Sequence, residues 1–222
     1  VHGGRTLGTI PLSNMVGVGS LLAFAGRRWR ISAVDDLAKV LEVVSHPAGR
    51  LPKFDRLYGE PLHDRLAAEV REVYLASDIP AYLNETAARF LEEGRIAFAE
   101  LGLGQRSLIA SGNDCHLVTW RGSVTNSGLA VALMACGLEC DAHDLGVTIA
   151  DTTPAEALAI LRHLHPMPSS EDLSGFVQNL RGAKYDEFIP EALLRRLWSR
   201  ANAEVCRQLP AVVEDLVRGG AG

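Results

Sequence analysis

Long hydrophobic runs, paired cysteines and a signal peptide are all missing from this sequence. Its longest weakly charged stretch, residues 123–138, is too short and too polar to span a bilayer, which takes about 20 apolar residues, so no membrane partner is predicted. Four irregularly spaced cysteines in a chain of 222 residues do not form a disulfide scaffold, which indicates a reducing, cytoplasmic location. The first residues, V-H-G-G, include no starting Met, and we expect the chain to be a fragment of a longer protein.

Motifs that would support catalysis are missing as well. The glycine pairs at 17–19 and 102–104 lack the lysine of a G-x-x-x-x-G-K-[ST] phosphate loop. The seven histidines form no H-E-x-x-H motif, and no serine lies in a G-x-S-x-G elbow. Cys136, Cys140 and His143 could be imagined as metal ligands, but Cys136 falls in an apolar stretch that predicts a buried helix. We therefore predict no catalytic residue, no metal and no cofactor in this chain, and no enzymatic activity for the chain alone.

Acidic residues are absent before Asp35, although the whole chain carries a net charge of −5. Residues 1–59 hold eight Lys and Arg against four acids, a net charge of +4. The remaining residues hold fourteen bases against twenty-three acids, a net charge of −9. A basic segment attached to an acidic body favours contact with nucleic acid at the N-terminal end.

The hydrophobic pattern changes its period near residue 60. Short strands predicted at 5–11, 21–24, 28–34 and 39–45 suggest a small, curled, barrel-like antiparallel sheet. From Leu62 onward apolar residues recur every three or four positions, which indicates helices, interrupted by two hairpins at 107–121 and 138–150. The prediction is an α+β protein with a β-rich subdomain over 1–59 and a mainly helical subdomain of roughly seven helices over 60–222. We expect the two to pack as one domain.

Cationic and aromatic residues stand together in G-R-R-W-R, residues 26–30. Arg27, Arg28 and Arg30 could meet phosphates, and Trp29 could offer a flat surface to a base. On a strand, Trp29 faces opposite to Arg28 and Arg30. The alternative, given equal weight, is a core position for Trp29 with the arginines as a solvated face.

Similar pairings occur at two later places. Trp120 and Arg121 end a predicted strand, where a core position for Trp120 is the favoured alternative. Lys53 lies in a loop rich in proline and glycine, where a charged surface loop is the more frequent explanation. The predicted nucleic-acid interface consists of Arg27, Arg28, Trp29, Arg30, Lys53, Trp120 and Arg121.

Several of these segments occur in an order found in one known family. The sequence has G-T-I-P at 8–11, F-A-G-R-R-W-R-I at 24–31, V-D at 34–35, P-K-F at 52–54, L-V-T-W-R-G at 117–122 and K-Y-D-E-F-I-P at 184–190. This series resembles the region that follows the winged helix in Lhr-type ("large helicase-related") superfamily 2 DEAD/DEAH-box helicases. The resemblance spans nearly the whole chain, and G-R-R-W-R is its most specific part.

The resemblance implies an accessory domain of an ATP-dependent 3′–5′ helicase that unwinds DNA or RNA:DNA hybrids. The motor domains, which would hold ATP and Mg, and the winged helix would be its partners in the parent chain. The domain would contact the single-stranded DNA or RNA on which the motor moves and close a channel around it. The alternatives are a non-catalytic scaffold or protein-docking domain of the same helicase and, less favoured, a free-standing DNA-processing enzyme.

Overall fold

The computed structural model describes residues 2–9, 21–24, 27–35, 38, 40–45, 60–164, 166–177, 180–181, 183 and 185–220. The chain divides into two compact units, Val1–Gly59 with Arg181–Lys184, and Glu60–Leu180 with Tyr185–Gly222. Both units contain antiparallel sheet, and the helices belong to the second, so the protein is α+β as predicted. Arg181–Lys184 counts with the first unit, which the sequence-based division at residue 59 does not include.

The first unit contains a three-stranded antiparallel sheet in the order β1-β2-β3. The strands are Leu21–Phe24 (β1), Arg27–Asp35 (β2) and Val40–Ser45 (β3). In the described residues β1 and β3 pair only with β2, so the sheet is open and the predicted barrel-like closure is wrong. Residues 5–9, predicted as strand, contribute a single bridge between Arg5 and His2.

A β-bulge in β2 keeps the apolar residues of that strand on one face. Pairing with β3 jumps from Ile31 to Ala33, which leaves Ser32 as the additional residue. Ile31 and Val34 are three positions apart and would face opposite sides of a regular strand, but the bulge brings both to the same side. The residues packed together on that side are Leu7, Trp29, Ile31, Val34, Leu41 and Val43.

The second unit is built on a four-stranded antiparallel sheet in the order β4-β5-β7-β6. The strands are Leu108–Ser111 (β4), Asp114–Val118 (β5), Cys140–Ala142 (β6) and Gly146–Ile149 (β7). Both predicted hairpins are present, and they join through the pairing of β5 with β7. Every residue of β7 is buried because this strand lies inside the sheet and beneath a helix.

The described residues of the second unit form six α-helices and one 3-10 turn, against the roughly seven helices predicted. The helices are Asp64–Leu75 (α1), Glu85–Glu100 (α2), Ser123–Ala135 (α3), Pro154–His163 (α4), Ser170–Ser174 (α5) and Glu191–Gly220 (α6), and the 3-10 turn is Asp186–Phe188. Helix α5 ends at Ser174, and Gly175 is its C-cap residue. Helix α6 continues through Pro210 as one helix, although proline removes one backbone donor from the helix interior.

Helices α3, α4, α5 and α6 supply most of the apolar core of the second unit. Leu129 and Leu133 of α3 and Leu209 and Leu216 of α6 are essentially inaccessible to solvent, and they belong to the same cluster as Ile149 of the sheet. Burying a leucine side chain contributes roughly 1.5–3 kcal/mol, so this cluster is the main source of stability in the unit.

Helices α1 and α2 pack on each other through an aromatic pair. The rings of Tyr74 and Phe98 stack with their centroids 5.4 Å apart. Gly94 permits this approach, because a Cβ atom at that position would lie 3.0 Å from Cε1 of Tyr74. Packing thus explains a glycine inside α2, where glycine costs about 1 kcal/mol relative to alanine.

None of the helices in the described part of the chain is both long enough and apolar enough to cross a lipid bilayer.

Candidate nucleic-acid interface

Arg27 and Arg30 lie on β2, the middle strand of the first sheet, with exposed side chains. Arg30 is paired on both sides, with Leu21 of β1 and Val44 of β3, whereas Arg27 pairs only with Phe24 of β1. Neither guanidinium forms an ion pair or hydrogen bond with any group in the described residues. The strand therefore presents two positive charges that form no ion pair with any of the described residues.

Trp29 lies between these arginines in sequence, but its side chain belongs to the core. The indole is only 5% exposed, and it packs with Ile31 and Val43. The ring of His2 lies against it, with the two ring centroids 5.1 Å apart and the planes tilted by 56°. Of the two positions that the sequence leaves open for Trp29, the core position is the one observed, and the indole offers no open face to a base.

The turn at residues 2–5 adds a third cation to the same sheet. His2 and Arg5 exchange two backbone hydrogen bonds of 3.0 Å, and Nδ1 of His2 donates to the carbonyl oxygen of Val43 at 2.8 Å. Arg5 is exposed and has no acidic partner among the described residues. Sequence reasoning did not select Arg5. Its position in a segment without acidic residues is the one feature of the sequence that points to Arg5 as a nucleic-acid contact.

Two predicted contacts fall outside what can be described. Lys53 lies in the segment 46–59, outside the described residues. Arg28 is part of β2, where it pairs with Ala23, but its side chain is outside the described part of the structure. Both remain predictions.

Trp120 lies in the second unit, within the aromatic cluster of α1 and α2. Its ring centroid is 5.8 Å from that of Phe98 and 6.5 Å from that of Tyr74. The strand β5 ends at Val118, earlier than predicted, and Trp120 takes a left-handed backbone with φ of 53°. That conformation costs a residue with a Cβ about 1–2 kcal/mol, and the ring contacts offset this cost. The half-buried ring matches the favoured core position more closely than a free stacking surface.

Arg121 follows Trp120, and its charge is compensated. Nη2 of Arg121 lies 3.1 Å from Oδ2 of Asp215, whose Oδ1 accepts a second bond of 2.8 Å from Arg218. The Arg121 side chain is 40% exposed, and an ion pair at such a surface contributes about 0–1 kcal/mol. A phosphate could displace Asp215 at small cost, but Arg121 is less available than Arg27 or Arg30.

A buried polar network fixes the backbone around Arg121. The amide nitrogen of Asn126 donates to the carbonyl oxygens of Arg121, His143 and Asp144 at 3.0, 2.9 and 3.1 Å. Its Oδ1 accepts a bond of 2.5 Å from the hydroxyl of Thr119. Asn126 is completely buried, and both its side-chain nitrogen and its side-chain oxygen have hydrogen-bond partners. Sequence reasoning placed Asn126 at the start of an apolar helix and did not identify this role.

Two further groups of polar side chains bear on the alternative of an enzyme. Oγ1 of Thr148, a nearly buried residue, lies 2.7 Å from Nδ1 of His116 and 2.7 Å from Nε2 of His143. A cleft of about 340 Å³ carries Asp114 and Asp151, where Oδ1 of Asp114 accepts the backbone N–H of Asp151 at 3.1 Å. These bonds connect the strands and turns of the second unit. No three His, Cys, Asp or Glu side chains of the described residues are placed to hold a metal ion.

Comparison with known proteins yields no relative. The chain matches no protein-family model, and no curated protein and no solved structure matches it. The relationship to Lhr-type helicases therefore rests on the sequence motifs alone, and it remains a prediction.

Proposed function

We propose that this chain is an accessory domain of an Lhr-type ATP-dependent helicase, in which it contacts single-stranded DNA or RNA. The observation that carries the proposal is that Arg27 and Arg30 of β2 are both exposed and have no acidic partner in the described residues. They are three positions apart on a regularly paired part of the strand, so they extend from its two opposite faces. ATP and its metal ion belong to the motor domains of the parent protein in this proposal, and the present chain supplies part of the surface along which the strand runs.

The contact we propose is electrostatic. Arginine neutralises backbone phosphates and releases their counter-ions, a contribution that does not depend on base sequence. Because the indole of Trp29 is buried, stacking on this residue contributes nothing to the contact. Arg5, held near β3 by the bond from His2 to Val43, is a third exposed cation of the first unit. A domain that follows a moving strand needs such sequence-independent binding.

The test is a titration of the 222-residue chain against a fluorescein-labelled oligothymidine of about 20 nucleotides, longer than one typical single-strand site. Affinity is measured by anisotropy between about 50 and 200 mM salt. If Arg27 and Arg30 each neutralise one phosphate, the variant R27A/R30A lowers the slope of log affinity against log salt by about 1.4, since each single-strand contact contributes about 0.7.

The matched control is R106A/R162A, which removes two exposed arginines from the second unit that also have no partner in the described residues. This control should leave the slope unchanged. Equal slopes for the parent chain, R27A/R30A and the control would refute the proposed contact. An oligoribouridine of equal length then compares RNA with DNA.

A scaffold without nucleic-acid contact is the second candidate, and the burial of Trp29 is the observation that favours it. In this alternative the arginines on β2 are a solvated face, and the helical unit holds neighbouring domains. Salt-independent or undetectable binding of the oligothymidine by a folded chain would support the scaffold over the proposed function.

A further inference from the structure

The first half of α6 exposes a face of two leucines and two arginines: Leu193, Arg196, Leu197 and Arg200. The two leucines are four residues apart, as are the two arginines, and each arginine lies three residues after a leucine. All four residues therefore lie along one side of the helix. Leu193 is 54% exposed and Leu197 is 62% exposed, so two large apolar side chains lie one helical turn apart on the surface. We call these four residues the α6 face.

The α6 face is not needed to hold the fold together. The other side of the same helical turns carries the structural contacts: Leu194 is buried, and the hydroxyl of Ser199 lies 3.0 Å from that of Ser170 in α5. The side chain of Arg195 bonds both the carbonyl oxygen of Ser174 and the carboxylate of Glu191. The hydrogen bonds and the buried leucine of these turns thus lie on the other side of the helix, while more than half of each leucine side chain of the α6 face is open to solvent.

Both arginines of the α6 face are without an ion-pair partner in the part of the chain that the structure describes. Arg195 is paired with Glu191 and Arg207 with Glu204, whereas Arg196 and Arg200 make no ion pair or hydrogen bond with side chains in the described residues. Residues 60–222 carry a net charge of −9. The two arginines of the α6 face are therefore a local positive charge on a segment that is acidic as a whole.

We propose that the α6 face binds an acidic amphipathic helix of a protein partner. Leucines spaced by four residues form a ridge that fits the groove of a second helix, and carboxylates beside the partner's apolar ridge would pair with Arg196 and Arg200. Exposed apolar residues flanked by arginine have the composition of a protein interface.

A nucleic acid is the less favoured occupant of this face. Single strands bind through flat aromatic rings on which bases stack, and leucine offers no such ring. The inference is independent of the proposed function, which rests on β2 in the other unit.

The experiment uses the full chain and two synthetic, fluorescein-labelled helical peptides. In the first peptide, leucines at i and i+4 are flanked by glutamates, and in the second every glutamate is replaced by lysine. We expect the glutamate peptide to bind at least about tenfold more tightly than the lysine peptide. The variant R196E/R200E should reverse this preference, and L193A/L197A should weaken both peptides.

Charge reversal at R106E/R162E, two exposed positions on other elements, is the matched control and should leave the preference as it is. All six side chains changed in these variants are exposed, so circular dichroism should report an intact fold. Equal binding of both peptides, no binding up to about 1 mM, or a preference that R196E/R200E does not change would overturn the inference. It would also be overturned if R196E/R200E weakened oligothymidine binding and left peptide binding unaltered, because the α6 face would then be a nucleic-acid surface.

Discussion

The carboxylate of Asp64 caps a helix other than its own, accepting the backbone N–H of Gly122 at 2.7 Å at the N-terminus of α3. The same carboxylate accepts the hydroxyl of Thr125 at 2.9 and 3.0 Å. Gly122 has no side chain with which to cap α3, and a Cβ atom there would collide with the carbonyl oxygen of Leu62. The start of α1 therefore replaces the missing cap, and one negative charge lies near the N-termini of two helices.

Replacing Asp64 by alanine should destabilise the second unit by about 1–3 kcal/mol, because a buried N–H and a hydroxyl lose a charged acceptor. The measurement is the free energy of unfolding from urea denaturation. Glu69→Ala removes an exposed carboxylate of the same helix, whose ion pair with Arg65 spans 3.8 Å, and should change stability by less than about 0.5 kcal/mol. Equal effects of the two substitutions would contradict the capping role.

Asn126→Leu should be among the most destabilising substitutions in the chain, at about 3 kcal/mol or more. The leucine leaves the carbonyl oxygens of Arg121, His143 and Asp144 without this donor inside the unit. Asn84→Ala, which removes the N-cap of α2, should cost about 1 kcal/mol. Urea midpoints of both variants give the comparison, and a smaller loss for Asn126→Leu than for Asn84→Ala would show that the network is dispensable.

Trp29→Ala should unfold the first unit, because truncation of a buried tryptophan costs about 3–5 kcal/mol and the core around it is small. Limited proteolysis would then cut within residues 1–59 while the second unit stays resistant. Trp29→Phe keeps most of the apolar volume and should preserve both folding and oligothymidine binding. If Trp29→Phe remained folded but lost about 1 kcal/mol or more of binding free energy, the indole would have to contact a base after all.

The cysteines should differ strongly in reactivity. Burial raises the pKa of Cys140 from 9.0 to about 12 and that of Cys115 to about 11. Burial also raises the pKa of Cys136, but this side chain is exposed. Because the thiolate is the reacting species, iodoacetamide near pH 8 should label Cys136 first, as measured by mass spectrometry of tryptic peptides.

Because the pKa of Cys140 is raised in the folded state, the stability of the protein should depend on pH. The thiol of Cys140 loses its proton near pH 9 in the unfolded chain and near pH 12 in the folded chain. The protonated thiol therefore contributes fully to the free energy of unfolding below about pH 9, and this contribution is lost as the pH rises toward 12. Cys140→Ala should lose less stability than the parent chain over that range. Identical pH profiles for the two proteins would show that Cys140 is not the group responsible.

Local patterns in the sequence predicted much of the secondary structure. The segment D-T-T-P before α4 predicted a capped helix start, and the capping box between Thr153 and Glu156 confirms it. The two hairpins of the second unit were also evident, because each joins strands that are close in sequence. The pairing of β5 with β7 was not, since contacts between distant segments leave no local pattern.

At the candidate site, too, the sequence predicted features that depend on neighbouring residues and missed those that depend on distant ones. Alternation along β2 predicted that Arg30 lies opposite Trp29, but the sequence left the position of Trp29 open between core and surface. The bulge after Ile31 has no glycine or proline to mark it. The ion pair between Arg121 and Asp215 joins residues 94 positions apart, so the sequence alone gave no reason to doubt that Arg121 is available.

The buried position of Trp29 gives the protein a built-in spectroscopic reporter. The chain has three tryptophans, and Trp29 belongs to the first unit while Trp120 and Trp198 belong to the second. With phenylalanine at positions 120 and 198, all remaining indole emission comes from the core of the three-stranded sheet. The red shift of that emission on denaturation would follow the opening of the first unit alone, so the stability of the β-rich part can be measured separately from that of the helical part.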